Sequence, residues 1–344
     1  MNCTDSISTE TKVAYLSDPA VYPQSPERVD VVETHMSWVF LAGDVVYKLK
    51  KPVRYDFLDF STLENRKEAV SSEIRLNRRL AADVYLRAQA LRRTVGGNLT
   101  LGADGEIVDW LVVMKRLPEA RSLAAAISAG TLTRSDFSKI ETLLCDFYAS
   151  RPPENVSPDD YVGKFNEEIQ RTIAVLSDPT LRFQDPNLEE AISGFIANFD
   201  KVKIELAQRA KQGQIVDGHG DLHPQHIFLT DPPVIIDCLE FNRRFRLVDP
   251  FDEAAFLSME CARLGSSWVF SSLVNRLAKV LSPKPSPQLL AFYWRYRALL
   301  RARLSLLHIV HQPTRTPERW RPLAQSYVAL AAEREVRTRM PASQ

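Results

Sequence analysis

The sequence has no apolar run approaching the roughly 20 residues that a membrane-spanning helix needs; runs such as Val39–Ala42 fall far short. It also lacks an excess of charge of either sign. Lys and Arg total 44 against 43 Asp and Glu, a formal net charge of +1, so there is no electrostatic footprint for nucleic acid. Cysteine is sparse and scattered (Cys3, Cys145, Cys238, Cys261) and forms no CxxC, so a disulfide framework is not expected. Reduced thiols fit a cytoplasmic protein. The opening MNCTDSISTETK has no basic start followed by an apolar stretch, so no secretory signal is expected. Twelve glycines without a period exclude collagen-like structure. What remains is an ordinary globular composition over 344 residues, enough for one large domain or two modest ones.

The pattern changes along the chain. Residues 1–30 are polar and Pro-spotted, and read as an irregular lead-in or a short helix. VDVVETHMSWVFLAGDVVYKLKKPV then predicts a strand followed by a hairpin turned at Ala42–Asp44. Residues 61–84 predict a helix capped by Ser61, with Glu64 three residues on. Residues 87–118 read as three strands separated by Gly-containing turns. From Arg121 the periodicity is helical: a short helix ending near Gly130, another stopping before Pro152, then 160–178, 187–212, 250–281, 286–311 and 316–338. A short β-rich segment, Gln214–Phe241, interrupts these helices. The expectation is an α+β fold with a β-rich lobe carrying one helix (1–117) and a helical lobe (118–344).

Ionisable chemistry is concentrated in residues 217–249. Half of the six histidines (His219, His223, His226) lie there, with Asp221, Asp231, Asp237, Glu240 and Asp249. GHGDLH puts Asp221 on a loop, and VIIDCLEF reads as an apolar strand ending in Asp237. A strand-end carboxylate beside a loop carboxylate suits a metal-phosphate site, because Mg²⁺ takes oxygen ligands, usually one or two carboxylates plus substrate phosphates. The loop carboxylate can accept the proton of an attacking hydroxyl. Two other readings stand beside this one. The histidines can simply cap backbone groups of a structural loop. Alternatively His219, His223, His226 and Asp237 can serve a metallohydrolase; their spacing on a Pro-containing loop does not place ligands as a helix would.

HGDLHPQHIFL followed by VIIDCLEF resembles the catalytic loop and metal segment of the aminoglycoside phosphotransferase and choline kinase group, which has a protein-kinase-like fold. The order of lobes agrees, and the resemblance spans roughly residues 30–310. More narrowly, VFLAGDVVYKLKKPV, FLDFSTLENRK, EIRLNRRLAADVYL and DCLEFNRRFRLVDPFDEAAF resemble the kinase-like half of bacterial proteins often fused to a P-loop ATPase. No GxxxxGK[ST] is present, so the ATPase half is not expected here.

The resemblance implies transfer of the γ-phosphoryl group of ATP, with Mg²⁺, to a hydroxyl of a small-molecule acceptor, in a cleft between the lobes. Asp221 matches the catalytic-loop aspartate and Asp237 the metal-binding one. Lys48 matches the strand lysine on the α/β-phosphates and Glu73 its helix partner. Lys48 and Lys50 share a strand face, so either can fill that role, with Lys48 preferred. Met114 and Leu117 fall where adenine would meet backbone. Asp249 matches a structural aspartate supporting the loop. There are two departures. His226 stands where the family has Asn; imidazole favours transition metals, leaving open Mn²⁺ use, a single-metal mechanism or loss of activity, and Glu240 can take over part of the second metal's coordination. No Gly-rich loop follows the first strand, so the amides of His35 to Trp38 and the Ser37 hydroxyl are expected to cap the phosphates. The alternative is a weak or inactive kinase-like regulatory protein acting through a protein partner. Nucleic acid and membrane partners are not expected. Arg295, Arg297, Arg301 and Arg303 read as a helix whose Arg stems reach solvent. Arg243, Arg244 and Arg246 either bind an anionic acceptor or brace the loop.

Overall fold

A computed structural model describes residues 7–311 and 317–333. Its backbone contacts divide the chain into two compact units. One runs to Arg121 and also takes in Phe228–Arg244; the other comprises Ser122–Ile227 and the described residues from Phe245 onward.

The first unit is built on an antiparallel sheet of β1 (Val29–Glu33), β2 (Ser37–Ala42), β3 (Val45–Lys50), β4 (Tyr85–Arg93), β5 (Leu99–Thr100) and β6 (Glu106–Lys115), in the order β1-β2-β3-β6-β4-β5. The β2–β3 hairpin pairs Phe40 with Tyr47 and Leu41 with Val46. It turns through Gly43 at φ +63°, a left-handed position that Gly adopts without a Cβ penalty. Two helices belong to this unit, α1 (Thr9–Leu16) and α2 (Leu63–Asn77).

Strand alternation sorts the side chains onto two buried faces. Tyr47, Leu49, Leu111 and Val113 pack with Phe40 and with Leu16 of α1. Val46, Val112 and Met114 pack with Val70 and Ile74 of α2. Lys48 and Lys50 share the parity of Val46 and therefore face α2. The α2 cap is Thr62, whose hydroxyl accepts from Asn65 N. The expected cap, Ser61, instead donates to Asp59 at 2.5 Å. Both helices are tied to Asp109 of β6, which accepts from Lys12 of α1 and Arg66 of α2, each at 2.7 Å.

The segment Phe228–Arg244 is bound to this unit through its backbone. Ile235 N donates to Leu80 O (3.2 Å), Asp237 N to the Tyr85 hydroxyl (3.2 Å) and Cys238 N to Asn77 Oδ1 (2.9 Å). The strand expected across VIIDCLEF is only Val234–Ile235, and Asp237 lies beyond it at φ +64°. Side-chain and hydroxyl partners replace the ladder there, so the chain need not stay extended.

The second unit is helical: α3 (Leu123–Ser128), α4 (Arg134–Ala149), α5 (Pro158–Leu176), α6 (Leu188–Lys211), α7 (Pro250–Arg263), α8 (Val269–Leu277), α9 (Pro287–His311) and α10 (Pro317–Ala332). The single helix expected over 250–281 is two, separated at Gly265 (φ +109°). Of the helix expected over 316–338, the part beyond 333 lies outside the described residues. Trp294 and Tyr296 are buried in the core. Of the α9 arginines expected to reach solvent, Arg297 and Arg303 are buried, while Arg295 and Arg301 are half-buried. Arg297 binds Asp252 (2.7 Å), Arg301 binds Glu260 (2.9 Å) and Arg303 binds Glu168 (2.6 Å). Carboxylates on α7 and α5 neutralise them in place. Among the described residues no helix is long and apolar enough to cross a membrane.

Asp109 pairs with both Lys12 and Arg66, and all three side chains are at least nine-tenths buried. Asp109→Ala leaves two buried cations facing no carboxylate. The expected loss is about 3–5 kcal/mol in urea unfolding; a loss below about 1 kcal/mol would mean that water reaches both cations.

Candidate active site

In the first unit five charged groups form a ladder. Lys48 Nζ lies 3.0 Å from Glu73 Oε1 and 2.7 Å from Asp237 Oδ1. Lys50 Nζ joins the other Glu73 oxygen to Glu240 Oε1. Sequence parity explains the geometry: two lysines two residues apart on β3 meet one glutamate on the helix packed over that face. Exposure is graded along the ladder. The side chains of Glu73 and Lys50 are 0% and 2% exposed, Glu240 9%, Lys48 15% and Asp237 44%.

Burial opposes the charge on Glu73, but the two ammoniums outweigh it and hold the carboxyl below its ordinary range. Burial likewise opposes the Lys48 charge, and Asp237 and Glu73 overcome it, holding this lysine well above its usual value. At Glu240 burial wins over Lys50, and the carboxyl is raised. Glu240, expected as a metal ligand, is engaged by Lys50. Both lysine candidates are in the ladder, and only Lys48 touches Asp237.

The remaining expected nucleotide contacts lie in the same unit. Ser37 is buried, and its amide donates to Thr34 Oγ1 (3.0 Å) while its carbonyl accepts from Thr34 N (2.8 Å). The Ser37 amide is therefore committed to the β1–β2 turn. Met114 pairs with Val46 and Tyr85 in the sheet, and Leu117 packs at the edge of the same cluster.

In the second unit the loop carrying Asp221 is held from beneath. Val216–Asp217 pairs with Leu247–Val248, and Arg246 binds Asp217 at 2.9 Å, so this arginine braces the loop. Arg243 and Arg244 belong to the other unit and are exposed. Glu253 on α7 accepts from the amides of His219 (2.9 Å) and Gly220 and from the Tyr148 hydroxyl (2.7 Å). Asp249, the expected support, does not play that part. It accepts from Arg209 (2.6 and 3.0 Å), from Tyr293 (3.0 Å) and from Phe251 N, capping α7. Glu253, one helical turn on, carries the loop; the sequence signal was the glutamate in DPFDEAAF, four residues after Asp249 and so on the same face. Burial raises both carboxyls.

Asp221, His223 and His226 come together. His223 Nε2 and His226 Nδ1 lie 3.4 and 3.7 Å from Asp221 Oδ2. Burial opposes the Asp221 charge, but the two histidines prevail and depress the carboxyl far below its usual range. His223 is raised, because Asp221 outweighs its burial. His219 Nδ1 accepts from Asp221 N at 3.2 Å, so His219 shapes the loop. Asp237, the fourth member of the metallohydrolase set, belongs to the other unit.

The loop passes so near Glu253 that a Cβ on Gly218 would meet Glu253 Oε2 at 2.4 Å and Val248 Cγ2 at 2.6 Å. Gly218→Ala is expected to destabilise the protein by about 1–3 kcal/mol and to increase hydrogen exchange at the His219 and Gly220 amides. Unchanged exchange there would show that Glu253 does not hold the loop.

No family model matches the sequence. Uncharacterised proteins of Mycobacterium tuberculosis (strain H37Rv) and Mycobacterium bovis are each 34% identical over 287 residues, 80% of this chain and 54% of theirs. The chain thus spans about half the length of the curated relatives it matches. A choline/ethanolamine kinase family protein from Mesorhizobium loti superposes with a TM-score of 0.51 at 12% identity, covering 95% of this chain and 97% of that one. Choline kinase from Cryptosporidium parvum gives 0.50 at 9% identity, covering 96% of each. With its antiparallel sheet unit and its helical unit, the chain has the protein-kinase-like fold of the choline and ethanolamine kinases.

Proposed function

We propose that the chain is an ATP-dependent phosphotransferase that moves the γ-phosphoryl group to a hydroxyl of a small-molecule acceptor. The observation that carries this reading is Lys48, seated between a fully buried Glu73 and a half-exposed Asp237. Lys50 is enclosed by Glu73 and Glu240, so Lys48 is the lysine with access to a phosphate.

The residues also fit a magnesium ion. Mg²⁺ is commonly held by one or two carboxylates plus phosphate oxygens and water. Asp237 is the accessible end of a ladder with three carboxylates and two ammoniums, an excess of one negative charge. Glu240 is the weaker candidate, because Lys50 already holds it. When bound, the ion neutralises charge on the phosphates.

The chain's own residues divide the remaining work. Lys48, fixed in direction by Glu73, binds the α/β-phosphates. Asp221 receives the acceptor hydroxyl. With its basicity lowered by two histidines, Asp221 orients that hydroxyl and takes its proton only late, as a loose phosphoryl-transfer transition state allows. Catalysis here is positioning and charge stabilisation.

A second reading, a kinase-like regulatory protein with little or no catalysis, is favoured by two observations. His226 stands where the resembling enzymes have Asn, and the Ser37 amide is committed to Thr34.

Calorimetric titration of ATP with Mg²⁺, and then with Mn²⁺, decides between the readings. Binding is expected with metal and is expected to fail in Asp237→Ala. Asp221→Asn is expected to lower transfer, including slow transfer to water, by about 10²–10⁴-fold with ATP affinity retained. Absence of ATP binding with either metal sinks the transferase reading and leaves the regulatory one.

The two lysines are expected to part company. Lys48→Met should abolish ATP binding in the same titration. Lys50→Met strands Glu240 and should show mainly as about 3–5 kcal/mol of lost stability in urea unfolding. The reverse pattern would make Lys50 the phosphate lysine.

A further inference from the structure

Asp221, His223 and His226 each offer a ligand atom, and these atoms all lie within 4.8 Å of one another. The composition, two imidazoles and one carboxylate, is that of open sites for Zn²⁺ and Fe²⁺ and is poorly matched to Mg²⁺. The spacing is informative. A charge-assisted N–H···O bond closes to about 2.7–2.9 Å, whereas the two nitrogen-to-Oδ2 separations here are 3.4 and 3.7 Å. Ligands about 2.1 Å from a tetrahedral ion stand about 3.4 Å apart.

His223 is also oriented as a ligand usually is. His223 Nδ1 donates to Gln225 Oε1 at 2.7 Å, which leaves Nε2 facing Asp221. A partner on the second ring nitrogen is what fixes the tautomer of a metal-bound histidine. His226 Nδ1 lies 3.0 Å from the Asp221 carbonyl, a contact that this nitrogen gives up when it is the one that binds the ion. The two rings stand 3.7 Å apart, centroid to centroid.

We propose that the loop Asp221–His226 binds one divalent first-row transition-metal ion through the Asp221 carboxylate and one ring nitrogen from each of His223 and His226. The site is built wholly within the helical unit and shares Asp221 with the phosphotransferase reading, but its occupancy needs neither ATP nor Asp237. It also gives His226 a role of its own.

The test uses the full chain, stripped with a chelator and titrated with Co²⁺, followed by ligand-field absorption and by metal analysis after gel filtration, with Zn²⁺ as competitor. One ion per chain is expected, displaced by stoichiometric Zn²⁺ and untouched by a similar concentration of Mg²⁺. His223→Gln and His226→Gln should each weaken binding by at least about 10-fold. Gln225→Ala, at an exposed position that leaves folding alone, should weaken it by about 10-fold through the lost hold on His223. Asp237→Ala should bind Co²⁺ as the unmodified chain does. No Co²⁺ absorption, equal binding in both histidine variants, or loss of the ion in Asp237→Ala would each overturn the proposal. Because ATP is absent throughout, failure here is separable from failure of the nucleotide titration.

Discussion

The first unit depends on one fully buried carboxylate. Glu73 is 0% exposed, and an isolated carboxylate at such a place would shed its charge by taking up a proton. It stays ionised because two ammoniums, one from each of two like-facing positions on β3, share its oxygens. That single constraint propagates. It requires β3 to present Lys48 and Lys50 toward α2, which fixes the strand's register, since a slip of one residue would turn both lysines to the other face. It requires α2 to lie across that face, where Val70 and Ile74 pack beside it. It also requires Asp237 and Glu240 to take up the remaining valence of the lysines, which binds Phe228–Arg244 to the sheet rather than to its sequence neighbours.

The second unit repeats the logic on α7. Asp249 at its N-cap and Asp252, Glu253 and Glu260 along the helix are all buried, and each is matched. Asp249 holds Arg209 and Tyr293; Asp252 holds Arg297; Glu253 holds two loop amides and Tyr148; Glu260 holds Arg301 and Tyr327. A buried polar network is costly when any member is left unpaired. Arg297, Arg301 and Arg303 of α9 are therefore tied to acids on α7 and α5. The near-zero net charge of the chain hides this internal pairing.

Much of this was legible in the sequence, and the failures have physical causes. The β2–β3 hairpin, α2 and most of the helices announced themselves through periodicity and turn residues, because local propensity and packing agree there. Motif resemblance singled out Lys48, Glu73, Asp221 and Asp237, of which the structure brings Lys48, Glu73 and Asp237 together. The length of the strand before Asp237 was misread because an apolar run reports burial, while here the backbone bonds go to Leu80, Tyr85 and Asn77, far away in sequence. The helix cap moved from Ser61 to Thr62 because Asp59 competes for the Ser61 hydroxyl. Glu253 was missed in favour of Asp249, although both sit in the same short motif, because the choice depends on which acid the loop amides reach. The α9 arginines were read as solvated because sequence shows their charge and not their partners.

Stability alone gives little reason for so much buried charge. Replacing a buried ion pair by well-packed apolar residues is often neutral or stabilising, whereas removing one partner is strongly destabilising. A ladder of five charges and a helix of four buried carboxylates are thus expensive ways to hold a core together. What such networks do supply is direction. In both units the fully buried acid is fixed, and the group it holds is the one that reaches outward: Glu73 holds Lys48, which meets the exposed Asp237, and Glu253 holds the loop from which Asp221 projects. Under the proposed phosphotransferase reading, neither Lys48 nor the loop has to reorganise in order to act. For a reaction whose catalysis consists mainly of placing charges correctly, prior fixation of those charges lowers the barrier without any covalent role for the protein. That accounts for ionic pairs at positions where apolar residues would have served the fold equally well.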